Sequence, residues 1–599
     1  MRSICFTLFF LSIATLAVAQ TASETIVVTA SALPEKADET PVAATVITRA
    51  DIERRAAHDV ADVLREVPGL AVARTGAPGK STTLFIRGGS SKQALVLWNG
   101  IEMNNPYFSG YNFGQLSTAG VEKVEVVRGP FSALYGSEAV SGVVNVLTTP
   151  SASGFTADVS GGENGFINGS LAGAYVGSGW TAHAMVEKRQ DDGFDANDDF
   201  DSTSFAGGLN VTPLPNLSLG ILARHNGYDL GIPRTPNANF DAFIASPNRR
   251  EEGSETQLAI PVRYESGRMA YELRLSESRR TEDFNDPDGA FGPEFSATDS
   301  RTRGARATAR TATPFGTITA GGEYSRDVVS NDSNFATIDD AKRTNKSLFV
   351  EDRLSLAPFE VTAGVRYDDY DTFGSEVSPR IAAAWVRNGH KIRAGYGEGF
   401  RAPAIGELYH PFGGNPELEA EQSKSYEVGY ERFFTTGSAS VTLFHSNYDN
   451  LIAFGSDFLF HNIASATAQG VELAASREFG ALHAMISYTY TDTEDQATGE
   501  TLVRRPRNAG SIAVGYDRGA VGTELVVAHT GARVDVTDLF PFSHVTNEAH
   551  TTADITVRYR LANLTPYVKL ENATDERYEE VFGYPSARRR VIAGVRFSR

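Results

Sequence analysis

The stretch ADITVRYRL, residues 553–561, decides the fold of this chain, because apolar residues alternate with polar or charged ones along its whole length. Such alternation is typical of a β-strand with one apolar face and one polar face. The same period occurs in EVTAGVRYD (360–368), YELRLSE (271–277) and VIAGVRF (591–597). A soluble sandwich accounts for a few such strands, whereas a transmembrane barrel accounts for their recurrence over hundreds of residues.

Long loops rich in Gly, Asn, Asp and Pro separate these strands, as in DDGFDANDDFD (191–201). The 446 residues from 154 to 599 allow roughly 20 to 24 strands at about 10 residues each plus loops, and we predict an all-β transmembrane barrel of about 22 antiparallel strands. A barrel of that size is too wide for its own side chains to fill. We therefore expect a separate domain inside it.

The first residues indicate export. An early Arg, an apolar run from Ile4 to Leu16 and the small residues Ala17-Val18-Ala19 predict a signal peptide over residues 1–19. The run is shorter than the about 20 apolar residues that a transmembrane anchor needs. Cys5 is the only cysteine and falls within this peptide, so we expect no disulfide in the mature chain. The net charge of −19 argues against nucleic acid as a partner, because there is no basic surplus to neutralise phosphates.

Residues 40–150 have a different pattern and predict a compact α+β domain, followed by the barrel over residues 151–599. Thr48 as N-cap, Asp51 three residues later, spaced apolar residues and a stop at Pro68-Gly69 predict a short amphipathic helix. Runs typical of buried strands surround it: TLFIRGG, ALVLWNGIEM with an Asn-Gly hairpin turn, VEKVEVVRG and SGVVNVLTT.

Several motifs in a fixed order resemble those of a known family. ETIVVTA, IRGG, VLWNGIEMNN, VEKVEVVRGPFSALYGSEAVSGVVNVLT, GYGEGFRAPAIGELY, GNPELEAEQSKSYEVGYE and NATDERYEEVFGYPSARRRVIAGVRF together look like a TonB-dependent outer-membrane receptor, most similar to its cobalamin receptor branch. The resemblance implies a barrel closed by an N-terminal plug domain, which the α+β segment would form, in the outer membrane of a Gram-negative bacterium. One departure is the Ser598-Arg599 extension after Phe597, because the family usually ends on the aromatic residue.

The resemblance identifies residues 20–39 as a periplasmic segment that carries the TonB box. In the family this box adds as a strand to the sheet of TonB, a protein anchored in the inner membrane. Its β-branched residues favour extended structure, and main-chain hydrogen bonds need no particular side chains. An ordinary first strand of the plug is the other interpretation, and the two states can alternate. The predicted box consists of Glu24, Thr25, Ile26, Val27, Val28, Thr29 and Ala30.

The function that the resemblance implies is active transport of a scarce, bulky ligand, with cobalamin or a related corrinoid as the first expectation. A ferric siderophore, haem or another ligand imported by the same mechanism is the alternative. A passive porin would need neither a plug nor a TonB box. The sequence lacks the G-x-S-x-G and H-E-x-x-H patterns, and we predict that the chain is not an enzyme. We expect a monomer in contact with lipopolysaccharide.

The resemblance also carries two sets of site residues onto this chain. It implies that Arg87 and Arg128 of the plug pair with Glu427 and Glu472 of the barrel wall, since buried charges must be paired. Separate surface ions are the other interpretation. Ligand contacts are expected in outward plug loops and one barrel loop, where ordinary turn residues remain the alternative: Ser81, Thr83, Ser90, Phe108, Ser109 and Arg533.

The loop DDGFDANDDFD and the later segments NGYDLG and NANFDAF resemble the calcium-binding loops of the cobalamin receptor, although Ala196 replaces an expected acid. Calcium takes six to eight oxygen ligands, and a solvated acidic loop is the alternative. We expect no cofactor for chemistry but a structural calcium on these residues: Asp191, Asp195, Asp198, Asp199, Tyr228, Asp229 and Asp241. Arg588, Arg589 and Arg590 open the final strand and would contact lipopolysaccharide phosphates or be solvated.

Overall fold

The computed structural model describes residues 26–27, 29, 35–289, 292–334, 337–455, 457–540 and 543–599. The predicted signal peptide lies outside the described residues. The chain forms a closed antiparallel barrel with an N-terminal α+β plug, as the alternation of residues 553–561 and the composition of residues 40–150 predict. None of the helices in the described residues is long and apolar enough to cross a bilayer.

The plug is built on a five-stranded sheet in the order β3 (Ala44–Thr48), β8 (Lys123–Arg128), β9 (Gly142–Leu147), β6 (Ala94–Trp98) and β7 (Ile101–Glu102), antiparallel except between β6 and β9. Asn99 and Gly100 have φ angles of 50° and 78°, which form the tight turn predicted between β6 and β7. The elements of the plug are β1 (Ile26–Val27), β2 (Glu35–Lys36), β3 (Ala44–Thr48), α1 (Arg49–Arg55), α2 (Val60–Leu64), β4 (Leu70–Arg74), β5 (Thr82–Ile86), β6 (Ala94–Trp98), β7 (Ile101–Glu102), β8 (Lys123–Arg128), α3 (Ser132–Tyr135) and β9 (Gly142–Leu147).

The single helix predicted after Thr48 is wrong, because the structure has two short helices there. Thr48 caps α1 as predicted, and its hydroxyl and the Asp51 carboxylate form a capping box. The helix ends at Arg55, and the capping residue Ala56 adopts the left-handed conformation with φ 45°. Asp59 then forms an ion pair with Arg189 of the barrel wall. The break in a helical pattern that is continuous in the sequence thus lies beside a tertiary contact.

The barrel wall has 22 strands, which confirms the predicted number. It closes where β10 (Gly154–Gly162) pairs with β37 (Arg590–Ser598). The wall strands are β10 (Gly154–Gly162), β11 (Ile167–Val176), β12 (Trp180–Asp191), β13 (Phe200–Leu214), β14 (Leu217–Gly231), β17 (Arg250–Ser266), β18 (Met269–Asp286), β19 (Glu294–Thr313), β20 (Gly316–Ser333), β21 (Thr337–Leu356), β22 (Phe359–Tyr370), β23 (Gly374–Arg387), β24 (His390–Arg401), β25 (Glu421–Phe434), β26 (Gly437–Phe454), β27 (Phe460–Phe479), β28 (Leu482–Asp495), β29 (Asn508–Arg518), β30 (Val521–Thr530), β33 (His550–Tyr559), β34 (Leu564–Glu571) and β37 (Arg590–Ser598).

The remaining elements lie in the loops between wall strands. The part of these loops that the structure describes has three two-stranded hairpins and one short helix: β15 (Arg234–Pro236) with β16 (Phe243–Ala245), β31 (Arg533–Val536) with β32 (His544–Asn547), β35 (Glu579–Val581) with β36 (Tyr584–Pro585), and α4 (Ile405–Tyr409).

The two ends of the barrel differ in loop length. The barrel begins at β10 and finishes at β37 on the end with short turns, which is the periplasmic end in barrels of this kind. In residues 553–561 the apolar residues Ile555, Val557 and Tyr559 are exposed on the outer face. Arg599 and Phe155 exchange two backbone hydrogen bonds of 2.8 and 2.9 Å, so the extension after Phe597 continues the closing pair of strands.

Candidate functional site

Four charged residues from distant parts of the chain meet between the plug and the wall. Arg87 donates two hydrogen bonds to Glu472, from Nε at 2.7 Å and from Nη2 at 3.0 Å, and a third from Nη1 to Glu427 at 2.7 Å. Arg128 Nε lies 3.3 Å from Glu472 Oε2. The structure thus brings Arg87, Arg128, Glu427 and Glu472 together, with Arg87 at the centre.

Burial and the neighbouring carboxylates shift the pKa values of the two arginines in opposite directions. Burial alone would lower the pKa of Arg87, but the carboxylates of Glu472 and Glu427 raise it above its ordinary value. Burial lowers the pKa of Arg128, and Glu472 opposes this only in part. Arg393 of β24 also forms an ion pair with Glu427, so the wall contributes a cation of its own. Sequence reasoning missed Arg393. The alternation of a strand shows which residues face inward, but it does not show which inward arginine lies beside the plug cluster.

The described part of the predicted TonB box lies inside the barrel against the plug. Val27 is fully buried and pairs with Glu35 of β2. Thr29 donates a 2.6 Å hydrogen bond to Glu125 and accepts one of 3.1 Å from the Asn145 amide. This arrangement matches the second interpretation of the sequence, a short strand of the plug. Glu24, Thr25, Val28 and Ala30 lie outside the described residues.

Four of the five predicted ligand residues of the plug lie on loops at the end with long loops, and the fifth, Thr83, lies in β5. Ser81 is exposed, and the Phe108 ring is 43% exposed. Ser90 caps the short turn of residues 91–93, and Ser109 accepts a 3.3 Å hydrogen bond from Arg401. Thr83 instead donates to the Ala73 carbonyl across the β4–β5 hairpin.

Arg533 occupies a different setting from the plug loops. Its guanidinium donates to the backbone carbonyls of Glu579 and Glu580, at 2.9 and 3.1 Å. It lines a cavity of about 180 Å³ with Gly76 and Pro78 of the plug. The geometry therefore gives Arg533 a structural contact with the loop of residues 572–589, beside an internal space under that loop.

The plug also binds the acidic loop directly, through a residue that the sequence did not single out. Lys80 donates to the carbonyls of Asp199 and Gly231, at 2.8 and 2.6 Å, and lies 3.6 Å from Asp198. Burial lowers the pKa of Lys80, whereas Asp198 and Asp199 oppose that shift. Lys80 stands in a turn without periodicity, so nothing in its local sequence marks it as a contact.

The acidic residues predicted to bind calcium each have a partner within the protein. Arg250 of β17 contacts both Asp199 and Asp229, at 2.8 and 2.7 Å. The other contacts join Asp195 to Arg234, Asp191 to Arg590, Asp241 to Asn237, and Tyr228 to Glu251. Among the residues that the structure describes, no group of three or more His, Cys, Asp or Glu side chains could hold a metal ion. Calcium at these residues therefore stays a prediction.

The position of Arg250 leads to a test of that prediction. Replacement of Arg250 by Gln leaves Asp199 and Asp229 without their shared cation, so we expect calcium to bind this variant at least tenfold more tightly than the unaltered protein. Magnesium should bind poorly, because it resists dehydration. Titration of calcium into chelator-treated protein by calorimetry measures the effect. Arg234→Gln is the control, since Arg234 contacts Asp195 alone among the aspartates. Equal calcium affinity in all three proteins would contradict the idea that Arg250 occupies a cation position.

The three arginines before the last strand do not share one environment. Arg590 is buried and pairs with Asp191 and Glu571, so it is not a lipopolysaccharide contact, and that part of the sequence interpretation is wrong. Arg588 is exposed and pairs with Asp575. Arg589 contributes its backbone N–H to the same carboxylate.

A wide barrel filled by a plug, with buried ion pairs between them, has the architecture of an energised outer-membrane transporter. Residues 36–143 match the TonB-dependent receptor plug domain, and residues 144–573 match the TonB dependent receptor-like β-barrel. The chain therefore belongs to the TonB-dependent receptor family. It is a transporter of the Gram-negative outer membrane that works with TonB on a small-molecule ligand, and it is not an enzyme.

Relatives of this chain are named for different ligands. The vitamin B12 transporter BtuB of Photobacterium profundum is 26% identical over 570 residues, covering 91% of this chain and 92% of that protein. FpvA of P. aeruginosa, solved with heterologous pyoverdines, superimposes with a TM-score of 0.83 at 14% identity, covering 96% of this chain and 88% of that one. The siderophore receptor PirA of Acinetobacter baumannii gives 0.79 at 16% identity, covering 93% and 98%. These two structures share the fold.

Proposed function

We propose that this transporter imports cobalamin or a related corrinoid. The observation that carries the proposal is the similarity to a vitamin B12 transporter, which runs through the plug and the barrel over more than nine-tenths of both chains. The siderophore receptors contribute no argument about the ligand, because their similarity extends only to the fold.

The chemistry of the plug loops supports a large ligand with many polar groups. Ser81 and Phe108 are exposed, and Ser90 and Ser109 lie in neighbouring loops, since the carbonyl of Ser91 approaches Gly110. A corrinoid has a wide ring system edged with amides, so hydroxyl groups can bind its edge while an aromatic ring packs on its face. Lys92 pairs with Glu407, which reduces the free positive charge near these loops.

We expect purified protein to bind cyanocobalamin tightly and ferric siderophores weakly or not at all. Calorimetric titration against cyanocobalamin, cobinamide and several ferric siderophores measures the difference. Phe108→Ala should weaken corrinoid binding about tenfold, equivalent to about 1.4 kcal/mol, through loss of the ring contact. Phe295→Ala is the matched control, because its ring is also 43% exposed but lies on the outer face of β19.

The outcomes of this titration are distinct. Tight binding of a siderophore without corrinoid binding would replace the proposed ligand and leave the transport mechanism unchanged. Equal losses from Phe108→Ala and Phe295→Ala would remove Phe108 from the ligand contacts.

A further inference from the structure

A group of cations lies on the outer face of the wall, outside the plug and the ligand loops. We call it the rim patch, and it consists of Arg279, Arg301, Arg303, Arg326, Lys342 and Lys346. Its residues belong to four consecutive strands, β18 to β21.

The strand register places the whole rim patch on the lipid-facing side. Residues directly opposite each other in a sheet point to the same face. On β18 the exposed Leu273 and Leu275 mark the outer face, and Arg279 has the same parity. Arg279 lies opposite Arg301, and Arg303 lies opposite Arg326. The two lysines of β21 also face outward. Lys342 lies opposite Val328 and Lys346 lies opposite Tyr324, and both partners are on the outer face of β20.

The height of the rim patch corresponds to the outer lipid headgroups. The exposed ring of Phe315 marks the periplasmic end of this sector, and the exposed ring of Tyr324 stands nine residues further along. Nine residues span about 30 Å of strand, which a tilt of about 40° reduces to about 23 Å of height, close to the apolar band of such barrels. Lys346 is beside Tyr324, and Arg326 is two residues beyond it, so both emerge where the apolar band ends.

The rim patch contains more positive charge than its neighbours neutralise. Like charges directly opposite each other destabilise a sheet, and the patch contains two such arginine pairs. Asp299 pairs with Arg279, while Glu277 contacts both Arg303 and Arg301, at 2.7 and 3.8 Å. Within the described ranges, no ion pair joins the other three members to a carboxylate: Arg326, Lys342 and Lys346.

Neighbouring acids do not close this gap. Asp369 stands opposite Lys346 on β22, but the two are not within ion-pair distance in the described structure. Asp340 accepts a hydrogen bond from Ser330. The rim patch therefore has a surplus of positive charge at one height of the barrel, although the chain as a whole has a net charge of −19.

We propose that the rim patch binds the phosphate groups of a glycolipid in the outer leaflet of the membrane. Arginine forks match phosphate oxygens in geometry, and lysines supply mobile point charges. An anchored lipid also presents its phosphates at the fixed height where these side chains emerge, whereas a free anion gains nothing from that height. The bound phosphates would offset the repulsion of the two opposed arginine pairs and so stabilise the sector β18 to β21.

The test uses the full-length protein in vesicles or nanodiscs and diphosphorylated lipid A as the probe. The triple variant Arg326→Gln, Lys342→Gln, Lys346→Gln removes the three cations without an ion-pair partner. The control variant Lys188→Gln, Lys424→Gln, Arg387→Gln removes three exposed cations from other sectors, with the same change of net charge. Native mass spectrometry and titration of lipid A measure retention and affinity, and heat modifiability in gels checks that each barrel is folded.

We expect the triple variant to bind lipid A at least tenfold more weakly than the unaltered protein, and the control variant to bind it within twofold. Arg326→Gln alone should give an intermediate loss, which keeps the test valid if the triple variant fails to fold. Equal binding by the triple variant, or an equal loss in the control, overturns the proposal. Inorganic phosphate at millimolar concentration should not compete. Full competition by phosphate would overturn the assignment to an anchored lipid.

Discussion

We expect Val27→Pro to abolish energised uptake while ligand binding at the cell surface remains intact. If the predicted TonB box works by adding a strand to the sheet of TonB, it needs its backbone donors, and proline removes one and fixes φ. Uptake of radiolabelled cyanocobalamin by cells, compared with binding in the cold, measures the two steps separately. Binding of the purified periplasmic domain of TonB gives a readout that is independent of the transported ligand.

The structure adds a competing contact to this experiment. Val27 already pairs with Glu35 and is buried, and Thr29 is bonded to Glu125. One strand edge cannot pair with the plug and with TonB through the same donors. If residues 24–30 are the TonB box, they would therefore have to leave this position before TonB could bind them.

Two control variants separate loss of docking from loss of TonB binding. Val27→Ala keeps the backbone donor and removes only buried side-chain contacts, so uptake should persist. Thr29→Val removes the hydrogen bonds to Glu125 and Asn145 but leaves the main chain intact, so uptake should persist here as well. Normal accumulation by the proline variant would exclude residues 24–30 as the TonB box.

The fold could be predicted from sequence because its decisive signals are local. Alternation within residues 553–561 depends only on the two-residue period of a strand, and lipid on one side makes that period visible. The Thr48 cap is equally local, since a hydroxyl and a carboxylate three residues apart satisfy each other's backbone N–H. The break at Ala56 is not local. It accompanies a contact between Asp59 and Arg189, which the spacing of apolar residues does not encode.

The charged contacts show the same difference between local sequence signals, which can be predicted, and contacts between distant residues, which cannot. The meeting of Arg87 with Glu472 joins residues 385 positions apart, and only the family resemblance pointed to it. The acidic loop resembles the family's calcium-binding loops, so its sequence predicts either a bound external cation or a solvated loop. Its actual counter-ions come from elsewhere in the chain: Lys80, Arg234, Arg250 and Arg590. Local sequence reveals a surplus of charge but not the distant residue that neutralises it.

The second large effect concerns the plug. We expect Arg87→Ala to destabilise the plug by roughly 3–5 kcal/mol, because it leaves buried carboxylates without their main partner. Arg128→Ala should cost less, since Glu472 keeps both hydrogen bonds from Arg87. This order follows from the geometry, because Arg87 contacts both wall glutamates directly. Calorimetry of the detergent-solubilised protein measures the plug transition and its shift.

A double-mutant cycle distinguishes a paired cluster from four independent charges. Adding Glu472→Gln to Arg87→Ala should recover part of the loss, with a coupling of about 1–3 kcal/mol, because the variant no longer buries an unpaired carboxylate. The exposed pair Arg263–Glu272 is the matched control. Its cycle should give a coupling of about 0–1 kcal/mol, since water screens exposed ions.

The same double-mutant cycle also tests whether the Arg87 cluster holds the plug inside the barrel. If the Arg87 cluster holds the plug against the wall, the restored double variant should retain its plug under heating better than Arg87→Ala alone, although both lack the same arginine. A purely local role for each charge predicts the reverse, since the second substitution would then add its own cost. Strictly additive losses in the Arg87 and Glu472 cycle would therefore mean that these contacts do not anchor the plug.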